Sequence, residues 1–302
     1  MQVVYTDPVM HPRTFAYESM GTHWSISVWG SLSDAALADL EHEIIARSSA
    51  FSALYSRFHH SSLIWKLAEM RGTVAVPHDL VRMLRLYASL HDLSGGKCNP
   101  FVGFALSDLG YDEYYSLKPK DVIRPVPPFH EAMRIVDDEH VELLQPVLID
   151  LGAVGKGYFV DQLAEYLTEK GIRRFLVDGS GDVYYRGDGH PIRAGLEHPG
   201  DASKVIGVLE FSEASLCGSA GNRRRWGQYH HTIDPHSLRS PQDIIATWVK
   251  CDTAAVADGL ATCLFFCDPA AFAGEFSFEY CVLNREMRKK NSTGFTAEFF
   301  TV

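Results

Sequence analysis

Residues 146–171 read PVLIDLGAVGKGYFVDQLAEYLTEKG and carry the clearest local structural signal in the chain. A short apolar run is followed by a loop with three glycines, then by apolar residues at helical spacing, and finally by Gly171. This order predicts a strand, a glycine loop, a helix and a glycine cap.

Helix and strand patterns are interspersed on both sides of this unit, without a strict beta-alpha-beta alternation. A strand is predicted over residues 24–29, a helix from Ser33 onward, and a second helix over 78–93 that ends at Gly95 and Gly96. Residues 98–112 are predicted to be loop and turn. Strands are predicted at 133–136, 141–144, RRFLVDG, PIRAGLE and VIGVLEF, and a strand–helix pair in ATWVKCDTAAVADGLATCLFF. This mixture predicts an α+β fold.

The 302 residues are predicted to form a single domain, residues 1–302. The segment 117–130 holds four prolines, which is typical of a connecting surface segment. It is the candidate boundary if the domain divides into two lobes.

The net charge of −10 argues against a nucleic-acid or membrane-surface binder, since phosphate-rich surfaces require an excess of Lys and Arg. Residues 1–19 carry Asp7, His11 and Arg13 where a secretion signal would be apolar, so a cytoplasmic location is expected. No apolar run is long enough for membrane insertion. The six cysteines lack zinc-ligand spacing and are interpreted as reduced thiols.

The first candidate site is the glycine loop from Asp150 to Gly157. Its glycines would allow close approach of a ligand, and the following helix offers free N–H groups to an anion. The spacing is not that of a Walker A loop, and such loops are also common without ligands.

The second candidate is the pair Asp258 and Thr262, which a helix places on one face one turn apart. Two hard oxygens suit Mg²⁺, which completes its shell with waters and phosphates. The alternative is that Asp258 bonds locally and Thr262 only packs.

The third candidate is the run from His230 to Pro235, preceded by Arg223, Arg224 and Arg225. Imidazoles exchange protons near neutral pH and arginines bind phosphate, although a solvated basic loop with one structural histidine would look the same.

Taken together, these segments resemble the FAD:protein FMN transferase family, also called the ApbE family. The resemblance runs from about Tyr17 to Phe266. It is carried by the motifs MGT (20–22), SRF (56–58), DLGAVGKGYFVD (150–161), LVDGSGD (176–182), HTIDP (231–235) and ADGLAT (257–262), in that order.

The resemblance implies a two-lobed α+β fold with mixed sheets and flanking helices, with FAD as substrate between the lobes and one Mg²⁺ beside its pyrophosphate. It implies metal ligands at Ala153 (through its carbonyl), Asp258 and Thr262, and a base at His231. The FAD-binding positions implied are Met20, Phe58, Lys97, Cys98, Asn99, Asp150, Lys156 and Thr232.

The implied reaction transfers FMN from FAD to a threonine hydroxyl of an acceptor flavoprotein subunit and releases AMP. Two alternatives stay open: an Mg²⁺-dependent FAD pyrophosphatase that gives FMN and AMP, and a non-catalytic FAD-binding protein. The chain departs from the family pattern at 99–103 (NPFVG) and 236–241 (HSLRSP), so nucleotide and acceptor contacts there are expected to differ.

Overall fold

The structure is a computed structural model that describes residues 2–4 and 11–300, with side chains from residue 11 onward. The expectation that residues 1–19 carry no secretion signal rests partly on Asp7, which lies outside the described residues.

The described residues form seven α-helices and seventeen strands. The helices are α1 (Asp34–Tyr55), α2 (Leu63–Ala68), α3 (His78–Leu93), α4 (Gly103–Asp108), α5 (Phe129–Ala132), α6 (Gly155–Glu169) and α7 (Ala254–Cys263). The strands are β1 (Gln2–Val4), β2 (Arg13–Ser19), β3 (Thr22–Trp29), β4 (Gly72–Ala75), β5 (Met133–Ile135), β6 (His140–Leu143), β7 (Arg174–Asp178), β8 (Asp182–Arg186), β9 (Ile192–His198), β10 (Asp201–Phe211), β11 (Glu213–Ala220), β12 (Arg225–Trp226), β13 (Tyr229–His230), β14 (Ile244–Cys251), β15 (Glu279–Asn284), β16 (Lys289–Asn291) and β17 (Glu298–Phe299).

Eight strands form the principal sheet, in the order β16-β15-β14-β11-β8-β7-β3-β2. Every pair in it is antiparallel, and so is every strand pair of the three smaller sheets, β1-β9-β10-β17, β4-β6-β5 and β12-β13. The α+β class is confirmed. The mixed sheets implied by the resemblance are wrong for the described residues, because the strands meet through hairpins and longer returns that reverse direction.

Strand β7 shows why the principal sheet is apolar on both faces. Successive side chains of a strand point to opposite faces, and Phe175 and Val177 pack in the core shared with the helices. Leu176 between them packs in a second core, shared with the four-stranded sheet. The molecule therefore has three layers: helices, the principal sheet and the smaller sheet.

The helix predictions are confirmed. Helix α3 spans His78–Leu93 as predicted, and Gly95 and Gly96 follow it with φ of +61° and +85°. Helix α1 starts after Ser33, whose Oγ accepts a hydrogen bond from the N–H of Ala36 at 3.2 Å. Gly171 ends the α6 region with φ +78°.

Two local predictions are wrong for one shared reason. Residues 98–112 are not all loop: they contain a 3-10 turn, Pro100–Val102, and α4. The apolar run before Asp150 is not a strand, since the carbonyl of Leu148 accepts from Gly103 N–H at 3.2 Å and Asp150 N–H donates to Pro100 at 2.6 Å. The two segments satisfy each other's backbone groups, so neither joins a sheet.

The proline-containing segment forms neither helix nor strand from residue 117 to 128. It is anchored on the buried carboxylate of Asp108, which pairs with Lys120 at 2.8 Å and Arg124 at 2.6 Å. Burial opposes the charge, but the hydrogen bonds from Arg124 and Lys120 prevail and lower the pKa of Asp108 to about 2. The single domain and the lobe boundary in this segment stay predictions.

Within the described part of the chain, no helix combines the length and apolar character needed to span a bilayer. The cysteines are free thiols: Cys98, Cys217, Cys263 and Cys281 are buried, and Cys251 and Cys267 are half-buried.

Candidate active site

A cavity of about 920 Å³ opens between the helical layer and the ends of the principal sheet. Twelve residues proposed from the sequence line it: Met20, Phe58, Lys97, Cys98, Asn99, Asp150, Ala153, Lys156, His231, Thr232, Asp258 and Thr262. The structure thus brings the whole predicted set together, while the role of each residue stays a prediction.

Tyr87 holds the glycine loop in place through two hydrogen bonds. Its hydroxyl donates to the carbonyl of Asp150 and accepts from the N–H of Ala153, both at 3.1 Å. The carbonyl of Ala153 lies beside α7, since a Cβ added to Gly259 would be 3.8 Å from it. The predicted carbonyl ligand therefore lies next to the turn of α7 that carries Asp258.

Gly157 allows α6 and α7 to touch. A Cβ at this position would lie 2.2 Å from the carbonyl oxygen of Ala254, so only glycine fits. The close approach lets the N–H of Gly157 donate to Oδ2 of Asp258 at 3.0 Å. This glycine serves helix packing and the orientation of a carboxylate, in place of the direct ligand approach expected from the sequence.

Lys156 lies between two buried carboxylates. Its Nζ donates to Oδ2 of Asp182 and lies 3.7 Å from Oδ2 of Asp258, and both aspartate side chains are 2% exposed. Burial disfavours the charge of Lys156, but Asp182 and Asp258 outweigh it and raise the pKa of the amine. The lysine is therefore charged.

Burial and the neighbouring Asp182 raise the pKa of Asp258 to about 8, against the opposing charge of Lys156. A buried carboxylate of this kind favours a further cation. The oxygens offered by Asp258, Thr262 and the Ala153 carbonyl are the hard donors that suit Mg²⁺, so the chemistry of the donor set fits that ion.

The two adjacent histidines have different environments. Nε2 of His230 donates to the carbonyl of Pro241 at 3.0 Å and its Nδ1 accepts from Thr232 N–H at 3.3 Å, so both nitrogens are engaged within the fold. Nδ1 of His231 lies 3.2 Å from the carbonyl of Arg223. Because a carbonyl only accepts, that nitrogen carries the proton and Nε2 keeps its lone pair.

His231 is neutral at physiological pH. Burial first, and then the positive charge of Arg224, lower its pKa to about 3. A neutral imidazole with a free Nε2 lone pair on the cavity wall is able to accept a proton.

The three arginines differ in their contacts. Arg223 pairs with Glu197 at 2.7 Å, and Arg224 donates to the carbonyl of Gly21 at 3.3 Å; both line the cavity. Arg225 is exposed in β12 and is not among the lining residues. Arg224 thus offers the cavity a positive charge.

The turn between β2 and β3 shapes one wall. Ser19 and Thr22 pair, and the two residues between them, Met20 and Gly21, have φ of +50° and +67°. Both positive values fit a type I′ hairpin turn, which Met20 adopts at a steric cost.

Phe58 lies between an aromatic ring and a cation. The ring of Tyr115 stacks on it at 5.5 Å, and the Arg57 guanidinium lies 4.2 Å from its centroid. Arg57 also donates through Nε to Asp150 and through Nη1 to the carbonyl of Tyr111 at 2.8 Å. Phe58 and Tyr115 both line the cavity, so this stack forms an aromatic part of its wall.

The segment at Lys97 to Asn99 is tied into the fold. Lys97 donates to the carbonyl of Phe266 at 3.3 Å. The Asn99 side chain donates to Pro127 and accepts from Phe101, each at 2.9 Å, so its amide is engaged at both ends.

Sequence reasoning missed Tyr87, Arg57 and Asp182 as parts of this site. Arg57 and Asp182 each lie inside a quoted motif, SRF and LVDGSGD, which was a usable signal. Tyr87 has no such signal, since on a helix it counts only as one more apolar position.

The architecture and the cavity define an α+β protein with a deep ligand-binding site that combines buried carboxylates, cations and aromatic rings. Residues 20–275 match the model of the ApbE family, and the chain belongs to the ApbE family.

Its relatives include proteins named FAD:protein FMN transferase. The one from Klebsiella pneumoniae is 24% identical over 83% of this chain and 77% of its own, and the one from Salmonella typhimurium is 26% identical over 81% and 75%. The solved structure of the flavin transferase ApbE from Vibrio cholerae is similar with a TM-score of 0.80 at 21% identity, covering 95% of this chain and 98% of that one. At this identity the structural likeness supports the fold.

Proposed function

We propose that this protein is a Mg²⁺-dependent FAD:protein FMN transferase that moves FMN from FAD to a threonine hydroxyl of an acceptor protein and releases AMP. One observation carries the proposal: a single cavity combines the oxygens of Asp258, Thr262 and Ala153 with the lone pair of His231. Family membership and the activity for which the relatives are named support it.

The cavity suits FAD in size and in chemistry. Its volume of about 920 Å³ is at the upper end of small-molecule sites. The Phe58 stack and Met20 offer an apolar surface for a flavin ring. Lys156 and Arg224 offer positive charge to a pyrophosphate.

The cation would be held by Asp258, Thr262 and the carbonyl of Ala153. When bound, Mg²⁺ neutralises charge on the pyrophosphate oxygens. Gly157 N–H orients the Asp258 carboxylate at 3.0 Å, and Tyr87 orients the loop of Ala153. These residues preorganise the site before substrate enters.

In the transfer, the threonine oxygen of the acceptor bonds to the FMN-side phosphorus as the phosphoanhydride bond breaks. Nε2 of His231 accepts the hydroxyl proton, and AMP leaves with the bridging oxygen. The two phosphates of FAD would offset the positive charges that lower the pKa of His231, so substrate binding makes the histidine a stronger base.

The two other functions share parts of this site. An Mg²⁺-dependent FAD pyrophosphatase would use the same carboxylate and base with water in place of threonine. A non-catalytic FAD-binding protein would leave the free lone pair of His231 without a use. The acceptor is a flavoprotein subunit with a threonine-containing flavinylation motif, and the cytoplasmic location expected from the sequence is proposed with it.

The test is to incubate the protein with FAD and Mg²⁺, with and without a threonine-containing acceptor, and to follow AMP, free FMN and acceptor mass. An acceptor that gains the mass of FMN as AMP appears supports the transferase. Free FMN and AMP without acceptor labelling would replace it by the pyrophosphatase, and intact FAD throughout by the binding protein.

A further inference from the structure

Asp182, the first residue of β8, is a buried carboxylate with two unlike oxygens. Oδ2 accepts from the ammonium of Lys156. Oδ1 is shielded from solvent and has no hydrogen-bond donor among the described residues. Because a buried carboxylate oxygen without a donor is costly, a donor from outside the chain is expected there.

The surroundings of Asp182 contain two acidic side chains and only one basic partner, Lys156. The Nζ of Lys156 is bonded to Asp182 and lies 3.7 Å from Asp258, so one ammonium serves two buried carboxylates. Each aspartate side chain is 2% exposed, so water does little to screen this charge. The pair is suited to one more positive charge.

Building on the function proposed above, we propose that Asp182 is a positioning residue of the cation site. Its Oδ2 keeps the hydrogen bond from Lys156 when a divalent cation binds to Asp258. Its Oδ1 accepts a hydrogen bond from a water bound to that cation. Mg²⁺ commonly keeps several waters, and the groups that hydrogen-bond to its ligands tune its affinity.

The proposal gives Lys156 and Asp182 opposite effects on cation binding. Lys156 shares Asp258 with the cation, so its removal strengthens cation binding. Asp182 withdraws the ammonium toward itself and orients a bound water, so its loss weakens cation binding. A purely structural contact between the two would lower stability in both variants without this opposition.

The experiment is a calorimetric titration of Mg²⁺ into FAD-free and into FAD-saturated protein. We expect Asp182→Asn to raise the Kd for Mg²⁺ by about 10- to 100-fold, and Lys156→Met to lower it. The matched control is Asp178→Asn, since Asp178 is the last residue of β7, on the other side of the β7–β8 turn from Asp182, and accepts from Gly181 N–H at 2.9 Å. That control should keep the wild-type Kd.

Circular dichroism melts verify that each variant is folded, and Asp182→Ala provides a second test if Asp182→Asn is not. A Kd for the Asp182 variants within about threefold of wild type, in both titrations, overturns the proposal, as does the absence of Mg²⁺ binding by wild type. A wild type that binds Mg²⁺ but transfers no FMN contradicts the proposed function and leaves the role of Asp182 intact.

Discussion

The backbone N–H of Gly157 in α6 donates to the carboxylate of Asp258 in α7 at 3.0 Å. The contact exists because the two helices approach more closely than any side chain at position 157 would permit. The orientation of the Asp258 carboxylate and the packing of the two helices therefore depend on the same glycine.

Gly157→Ala should destabilise the protein and weaken Mg²⁺ binding together. The new methyl would meet the Ala254 carbonyl at 2.2 Å and force the helices apart, at a cost of about 1–3 kcal/mol or more. Urea unfolding and a Mg²⁺ titration measure the two effects. Gly274→Ala is the control, because a Cβ there meets nothing within 4 Å; equal stability of both variants would contradict the role of Gly157.

His231→Ala should lower the rate of FMN transfer by about 100- to 10,000-fold, since a positioned base contributes that much. FAD affinity, measured by flavin fluorescence, should change little. His236→Ala is the control, because His236 is near in sequence but bonds to the carbonyl of Gly95 at 3.0 Å and does not line the cavity. A transfer rate within about tenfold of wild type would remove His231 as the base.

Arg224→Gln should weaken FAD binding by about 10- to 100-fold, the effect of losing a hydrogen bond to a charged group. It should also raise the pKa of His231, because the Arg224 charge lowers it. The acid limb of the transfer rate then moves to higher pH. Arg225→Gln, outside the cavity, should change neither FAD affinity nor the pKa of His231. Equal effects of both variants would show that the arginines act only through general surface charge.

Tyr87→Phe should cost about 1–3 kcal/mol and weaken Mg²⁺ binding, because the Asp150 carbonyl and the Ala153 N–H both lose their partner. Thermal melts with and without Mg²⁺ measure both effects. Tyr114→Phe, at an 81% exposed position, is the control and should match wild type. A Tyr87→Phe variant with unchanged stability would show that the loop holds its shape without the hydroxyl.

Asp161→Asn should remove a pH dependence of stability. The carboxylate of Asp161 accepts from Ala254 and Ala255 N–H groups at 2.7 and 2.8 Å, and burial raises its pKa from 3.8 to about 6 despite them. The folded state therefore holds the proton more tightly than the unfolded chain does. The resulting contribution to the free energy of unfolding is fully present below pH 3.8 and is lost as the pH rises through about 6.

The loss amounts to on the order of 1–3 kcal/mol. Urea unfolding at a series of pH values between 4 and 7 should show it in the wild type and not in Asp161→Asn. Identical pH dependence in the two proteins would contradict the raised pKa.

The elements with local signals were predictable. The helix over His78–Leu93 has its own periodicity and its own stop at Gly95, so its bounds needed no tertiary information. The structure of the run before Asp150 could not be predicted in this way. An apolar segment is equally suited to a strand or to a buried turn, and contact with Gly103 decides between them.

The site was predictable as far as its motifs reached. Helical spacing placed Asp258 and Thr262 on one face, while their assignment as metal ligands and the residues around them came from the resemblance. The role proposed for Asp182 could not be predicted from the sequence, because its partner Lys156 lies on a different element and the unpaired Oδ1 is a property of the folded chain.

The principal sheet joins segments that are made at very different times. Strand β3 ends at Trp29, which lies opposite Arg174 of β7. During synthesis the N-terminal strands therefore lack this partner until the chain has been extended to β7. Asp258 emerges later still. The cavity is therefore completed only after both the sheet and helix α7 have been made, so a growing chain cannot hold a ligand there while its N-terminal strands still lack their partner.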